Sequence, residues 1–226
     1  MAETRRPVFV ISGVSAGLGE ALCHLLLEQG KTVVCIGRNF TSEQKASTGA
    51  RLIACDLSSS ENLEQLSLDA ALTGHDEVIF LSNAGVIEPV GLAGEPDFAA
   101  VTSSLHVNAL APPAIAAAIL RAAAQAKLTF VNISSGATSR AVAGWSAYCA
   151  GKAAASAYFD CVALERPDIR VIHRDPGVMN TGMQTAIRSH NTSQFPRHEE
   201  FMRFKSDKKL RDPRSVAAEI LEEVGV

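Results

Sequence analysis

The 226-residue chain has no surplus of charge of either sign: Lys and Arg total 21, Asp and Glu 24, and the formal net charge is -3. That balance argues against nucleic acid or an anionic membrane surface as an obligatory partner. No uninterrupted apolar run approaches the ~20 residues that a membrane helix needs. The opening stretch, Met1 to Pro7, leads into an apolar run of strand length, unlike a signal peptide. Metal-ligand spacing is absent as well. Cys23, Cys35, Cys55, Cys149 and Cys161 are odd in number and dispersed in apolar surroundings, so buried reduced thiols in a cytoplasmic protein are expected. His24, His75, His106, His173, His190 and His198 are equally scattered and support no zinc site. Repeats, low-complexity tracts and linkers are missing too, which leaves one domain over residues 1–226. Its 47% hydrophobic and 20% charged residues are those of an ordinary soluble globular chain with ample length for a core.

What is present is an alternation of strand and helix. Val8-Phe9-Val10-Ile11 is a continuous apolar run, the mark of a strand covered on both faces. Ser12-Gly13-Val14-Ser15-Ala16-Gly17-Leu18-Gly19 follows, and then a helix from Glu20 to Gln29 closed by Gly30. A glycine-rich turn between a buried strand and a helix N-terminus presents backbone N–H groups and the positive end of the helix dipole to a phosphate. A plain tight turn is the bland alternative.

The second strand, Thr32 to Ile36, ends in Gly37-Arg38-Asn39. In a dinucleotide site this position meets the adenosine ribose. An acid there selects NAD, whereas an arginine accommodates the 2′-phosphate of NADP. Arg38, with no acid beside it, favours NADP; a solvated loop arginine is the alternative. A third strand, Arg51 to Cys55, ends at Asp56-Leu57, and a helix from about Ser60 to Leu72 follows. The fourth, Glu77 to Leu81, ends in Ser82-Asn83-Ala84-Gly85. Leu105 to Gln125 reads as helix by its alanines, yet Pro112 and Pro113 sit inside it and should bend or interrupt it. Asn108 lies one turn before that break, where an unpaired carbonyl could hold a water.

The fifth strand, Leu128 to Ile133, leads to Ser135. Tyr148 and Lys152 follow in an alanine-rich run that reads as helix, and their spacing places both on one face. A free tyrosine titrates near ~10, and a nearby ammonium favours the phenolate and should bring that value down. Alone, Tyr-x-x-x-Lys is an exposed helix face in most proteins. The sixth strand, Ile169 to His173, ends in Asp175-Pro176-Gly177-Val178. Residues 179–211 are polar and punctuated, and are expected to form a mobile lid or, alternatively, a disordered crossover. A last helix runs from Arg214 to Val224. The alternation predicts an α/β fold, a Rossmann-like doubly wound parallel sheet with helices on both faces. Every candidate group falls just after a strand.

Taken together, Ser12-Gly13-x3-Gly17-x-Gly19, Asp56-Leu57, Asn83-Ala84-Gly85, Asn108, Ser135, Tyr148-x3-Lys152 and Pro176-Gly177 make the chain resemble a short-chain dehydrogenase/reductase over essentially its full length. The segment Pro176 to Gln184 is most similar to the sepiapterin reductase and bacterial benzil reductase branch. The resemblance implies an NAD(P) site along the C-terminal strand edge, which Arg38 narrows to NADP(H), and a catalytic tetrad of Asn108, Ser135, Tyr148 and Lys152. Tyr148 would donate a proton to the developing alkoxide, and Lys152 would lower its pKa and bind the nicotinamide ribose. Ser135 would hold the carbonyl oxygen, and Asn108 would hold a water linking Lys152 to solvent. Gly13, Ser15, Leu18 and Gly19 would cradle the pyrophosphate, and Arg38 the 2′-phosphate. Asp56 and Leu57 would bracket the adenine, Asn83 reach a ribose, and Val178 and Thr181 contact the carboxamide side. Ala16, Asn39, Ala84, Gly85, Pro176 and Gly177 complete the cofactor set.

Ser12 stands where the family more often has threonine, and Ser82 where it has asparagine; both keep a hydrogen-bonding group. The chain stops at Val226, where the family usually continues into a seventh strand, so a sheet edge without its customary partner is expected. The implied activity is NADPH-dependent reduction of a small-molecule ketone or diketone. Reduction of a ketoacyl or steroid carbonyl, or a regulator that binds NADP without turnover, are the alternatives. Small residues around Ala114–Ala124 and Ala153–Ala157 would allow a homodimer.

Overall fold

Strand formation follows the apolar runs. In a computed structural model describing residues 7–226, β1 (Pro7–Ser12), β2 (Thr32–Gly37), β3 (Ala50–Ala54), β4 (Glu77–Ser82), β5 (Lys127–Ile133) and β6 (Arg170–Arg174) pair in the order β3-β2-β1-β4-β5-β6. Every pairing is parallel. Residues 1–6, most of the opening stretch considered above, lie outside the described residues. The order reverses between β1 and β4. At such a reversal the helices leave in opposite directions and open a crevice at the strands' C-terminal ends. Among the described residues β6 pairs with β5 alone and forms the edge of the sheet.

Alternation within each strand sends side chains to two cores. Phe9, Ile11, Val33, Cys35 and Leu81 meet α1 (Gly17–Glu28) and α10 (Pro213–Glu223) on one face. Val8, Val10, Phe80 and Phe130 face α6 (Ala111–Ala122) and α7 (Ser146–Glu165) on the other. There Phe80, Phe130 and Phe159 form a mutual aromatic cluster with centroids 5.9–6.3 Å apart. Gly30 closes α1 as expected: its N–H reaches Leu27 O and the Lys31 N–H reaches Leu26 O, both at 3.0 Å.

Three elements differ from expectation. The helix expected over residues 60–72 is two short pieces, α3 (Ser60–Glu64) and α4 (Asp69–Leu72), after the short α2 (Ser42–Ala46). Ser67 donates to the Asp69 carboxylate at 2.6 Å, a local bond that competes with the helix. The break lets Leu66 and Leu68 both turn inward. Next, α5 (Phe98–Leu105) passes through a π-helical turn, His106–Leu110, into α6, which carries Pro112 and Pro113 in its first turn. The interruption therefore falls just ahead of the prolines. The joined helix, Phe98–Ala122, is long and apolar enough by length and composition to cross a membrane. Polar Thr102, Ser103, Ser104, His106 and Asn108 break its apolar run, and Ile115, Ala116 and Ile119 are buried in the core.

The third concerns residues 179–211, where the polar, punctuated sequence indicated no helices: the segment folds into α8 (Gly182–Ser189) and α9 (His198–Ser206), which excludes the alternative of a disordered crossover. Phe195, Phe201 and Ile187 from this segment bury against Val142 and Trp145. At its neck Met179 bridges Arg211, and Arg211 and Arg174 converge on the Glu219 carboxylate of α10. Of the five free thiols, Cys23, Cys35 and Cys55 are buried as expected, while Cys149 is half-buried and Cys161 exposed.

Candidate active site

The glycine-rich turn is held from beneath. Asn83 donates from Nδ2 to the carbonyls of Ser12 (3.0 Å) and Gly13 (2.9 Å). Ser12 Oγ accepts from the N–H groups of Asn83 and Ala84, both at 3.1 Å, so serine fills the hydrogen-bonding role expected at this position. Gln44, buried and capping α2 with Thr41, donates from Nε2 to Val14 O at 2.8 Å. A side chain at Gly19 has no room, because a Cβ there would lie 2.0 Å from Gly13 O. The N-cap of α1, Ala16, supplies no side-chain bond, so the first N–H groups of that helix remain available to an anion. Asn83, expected at a ribose, thus spends its NH2 group on the turn and keeps only Oδ1 for a ligand.

At the ends of β2 and β3, Arg38 is largely exposed, and its Nη1 stands 3.9 Å from Asp56 Oδ2. Bonds from the Ser58 hydroxyl and N–H, with a smaller contribution from Arg38, hold the Asp56 carboxyl below its ordinary range. Asn39 follows Arg38, and Leu57 is mostly buried beside Asp56.

Ser135, Tyr148 and Lys152 come together beyond β5. Ser135 starts a 3-10 turn (Gly136–Thr138), and its Oγ accepts from the Ala137 N–H at 3.2 Å. Its hydroxyl is close enough to the Tyr148 phenol to favour the phenolate. Tyr148 and Lys152 belong to the buried stripe of α7 that continues through Ala155, Ser156, Phe159 and Val162. Lys152 Nζ donates to Ile133 O at 2.9 Å, and burial lowers its pKa to about 8. The expected depression of the phenol by this ammonium does not occur: burial pushes Tyr148 up, the nearby Ser135 hydroxyl opposes this, and the Asp175 charge adds to the rise.

Asn108 lies on the π-turn with its side chain fully used. Oδ1 accepts from the Val86 N–H at 3.1 Å, and Nδ2 donates to Val86 O at 2.8 Å and Ser104 Oγ at 3.2 Å. Its backbone carbonyl is different. Pro112 and Pro113 occupy the positions whose N–H groups would reach that carbonyl in α or π register, and proline has none. Packing here is close: a Cβ on Gly151 would lie 2.5 Å from Asn108 Cβ.

One cavity of about 780 Å³ joins these groups, from Arg38 and the glycine turn through Ser135 and Tyr148 to α8 and α9. Ala84, Gly85, Pro176, Gly177, Val178 and Thr181 also line it. The far end is aromatic. Trp145 stacks on Phe195 at 4.9 Å and meets Tyr148 and Phe201 edge-on, and its Nε1 is buried without a partner. Gln44, Ser104, Arg140, Trp145 and Gly151 were not singled out from sequence. Thr41-x-x-Gln44 carried a capping-box signal for the first; nothing local marked the others.

The family model for short chain dehydrogenase matches residues 7–192. The chain is 30% identical over 222 residues to benzil reductase ((S)-benzoin forming) of Bacillus subtilis, covering 95% of this chain and 91% of that protein. It is 29% identical over 206 residues to sepiapterin reductase of Bos taurus, covering 81% and 76%. The crystal structure of the KRED1-Pglu enzyme superposes with a TM-score of 0.83 at 29% identity, covering 93% and 91% of the two chains.

Burial makes the Lys152 cation costly, and the sign of its effect on stability follows. With the folded pKa near 8 and the unfolded one near 10.5, the unfolded chain binds more protons between those values. The cost is full below pH 8 and disappears as pH rises through that window. Lys152→Met should therefore raise the melting temperature at pH 7 by on the order of 5 °C. The gain should shrink toward pH 10, as read by thermal melts across pH.

Proposed function

Because the chain belongs to the short-chain dehydrogenase family, we propose that it is an NADPH-dependent carbonyl reductase that acts on a ketone or diketone, with Tyr148 as proton donor. The observation that carries this is the convergence of the Tyr148 phenol, the Ser135 hydroxyl and the Lys152 ammonium inside the cavity that begins at the glycine turn. The chemistry supplied by a bound NADPH is hydride donation to the carbonyl carbon.

The residues fit such a cofactor. The turn leaves uncapped N–H groups facing the cavity, neither sequence neighbour of Arg38 is an acid, and Asp56 from the end of β3 holds that arginine only loosely, at 3.9 Å. Arg38 binds the 2′-phosphate; Val178 and Thr181 face the carboxamide side. Ser135 donates to the substrate carbonyl oxygen, positions it and stabilises charge as it develops. Tyr148, its phenol kept protonated by burial, gives its proton to that oxygen. Lys152, its pKa lowered by burial, passes a proton to the phenolate left behind, and a water on the Asn108 carbonyl restores the one Lys152 gives up. The aromatic end formed by Trp145, Phe201 and Phe204, with Phe195 stacked behind Trp145, suits an aryl ketone, with residues 179–211 as the lid over it. Five free thiols suit a cytoplasmic protein.

The test follows NADPH oxidation with benzil and a second diketone. Wild-type protein should turn over, and Tyr148→Phe should lower kcat by at least ~10²-fold while NADPH still binds. Arg38→Asp should move the preference from NADPH toward NADH. Full turnover by Tyr148→Phe would sink the proton-donor assignment, and an equal preference for the two cofactors in both proteins would sink that of Arg38.

A further inference from the structure

The substrate end of the cavity contains a cation that the chain leaves unbonded. Arg140 follows the 3-10 turn that Ser135 begins, and its guanidinium folds back over that turn. A methyl group on Gly136 would lie 2.8 Å from Arg140 Nη2 and 3.8 Å from Cζ. Gly136 is the residue after Ser135, so the cation stands beside the hydroxyl that receives the carbonyl oxygen. Arg140 lines the cavity, and among the described residues its guanidinium makes no hydrogen bond or ion pair.

Two acids lie near, and both are engaged elsewhere. Glu200 feels the Arg140 charge but gives both oxygens to Arg197, at 2.7 Å each. Asp175 accepts from the Gly177 N–H through Oδ1 at 2.9 Å. Its Oδ2 lies 3.7 Å from the same Gly136 position, on a flank where it would repel a second anion. Arg140 is exposed, so its guanidinium stands at the cavity's rim with its donor fork unspent, where it can receive a carboxylate that enters the cavity.

Resting on the reductase reading above, we infer that Arg140 binds a carboxylate carried next to the reacting carbonyl, so that the preferred substrates are 2-keto acids rather than uncharged diketones. The short step from Ser135 to Gly136 sets the spacing between ketone and carboxylate. The aromatic wall of Trp145, Phe201 and Phe204 receives an aryl group on the other side of the ketone.

Phenylglyoxylate and its methyl ester test this, since they share one ketone and differ by one negative charge. Trp145 is the only tryptophan in the chain, so its fluorescence reports occupation of this end independently of turnover. With NADP+ present, wild-type protein should bind phenylglyoxylate saturably. Arg140→Gln should weaken that binding at least ~ten-fold and leave the ester within about two-fold. The acid-to-ester ratio of kcat/KM should fall in the same proportion, a comparison that cancels the unequal reactivity of the two ketones. Arg140→Lys should restore part of the loss. Equal weakening of acid and ester, or no binding of the acid by wild-type protein, overturns the assignment. If the acid binds through Arg140 but neither ketone is reduced, the anion site stands and the reductase reading fails.

Discussion

The site depends on how closely α7 approaches the π-turn. Gly151 lets the two backbones meet where a methyl group would lie 2.5 Å from Asn108 Cβ. From there the positions follow in sequence. Asn108 is locked by Val86 on the loop after β4 and by Ser104 on α5. One turn before Gly151 along α7 comes Tyr148, and directly after it comes Lys152, tied to Ile133 at the end of β5. A single close contact thus fixes the phenol and the ammonium against two strand ends and against Ser135. Glycine inside a 20-residue helix costs about 1 kcal/mol relative to alanine, and the approach it permits offsets that cost.

The electrostatics follow from the same packing. Burial raises Tyr148 and lowers Lys152, so each group is pushed toward its neutral form. A phenol held protonated suits proton donation, and an ammonium that releases its proton near pH 8 sits close to neutrality, where it can pass that proton on. The scaffold absorbs the destabilisation. Phe159, three turns of stripe further along α7, anchors the helix among Phe80 and Phe130, and Trp145 anchors its N-terminal end against Phe195. On the opposite side of the crevice, Arg174, Arg211 and Glu219 brace the neck of the segment that carries α8 and α9.

Much of this was legible in the sequence because it is written in local pattern. Apolar runs placed the six strands within a residue or two, the glycine-rich turn and Ser135 fell at strand ends, and the Tyr148–Lys152 pair fell on one helix as its spacing implied. Pro112 and Pro113 foretold an interrupted helix, although not that the interruption would be a π-turn ahead of them. What was missed is set by tertiary burial. The sign of the Tyr148 shift depends on how deeply the phenol is covered, which spacing on a helix does not encode. The brace from Gln44 to Val14, the fold-back of Arg140 over Gly136 and the glycine at 151 are contacts between segments far apart or between turns of unusual shape. The split of residues 60–72 was hidden because Leu66 and Leu68 fit a helix by composition and only their common burial reveals the turn.

The measurement that bears most directly on this account is the kinetics of Gly151→Ala, with folding checked by circular dichroism. The added methyl forces α7 away from Asn108 and moves Tyr148 and Lys152 relative to Ser135. A shift of this kind should lower kcat by ~10- to 100-fold in a protein that still folds and still binds NADPH at the glycine turn. Wild-type kcat in folded Gly151→Ala protein would contradict the claim that this contact sets the geometry of the site.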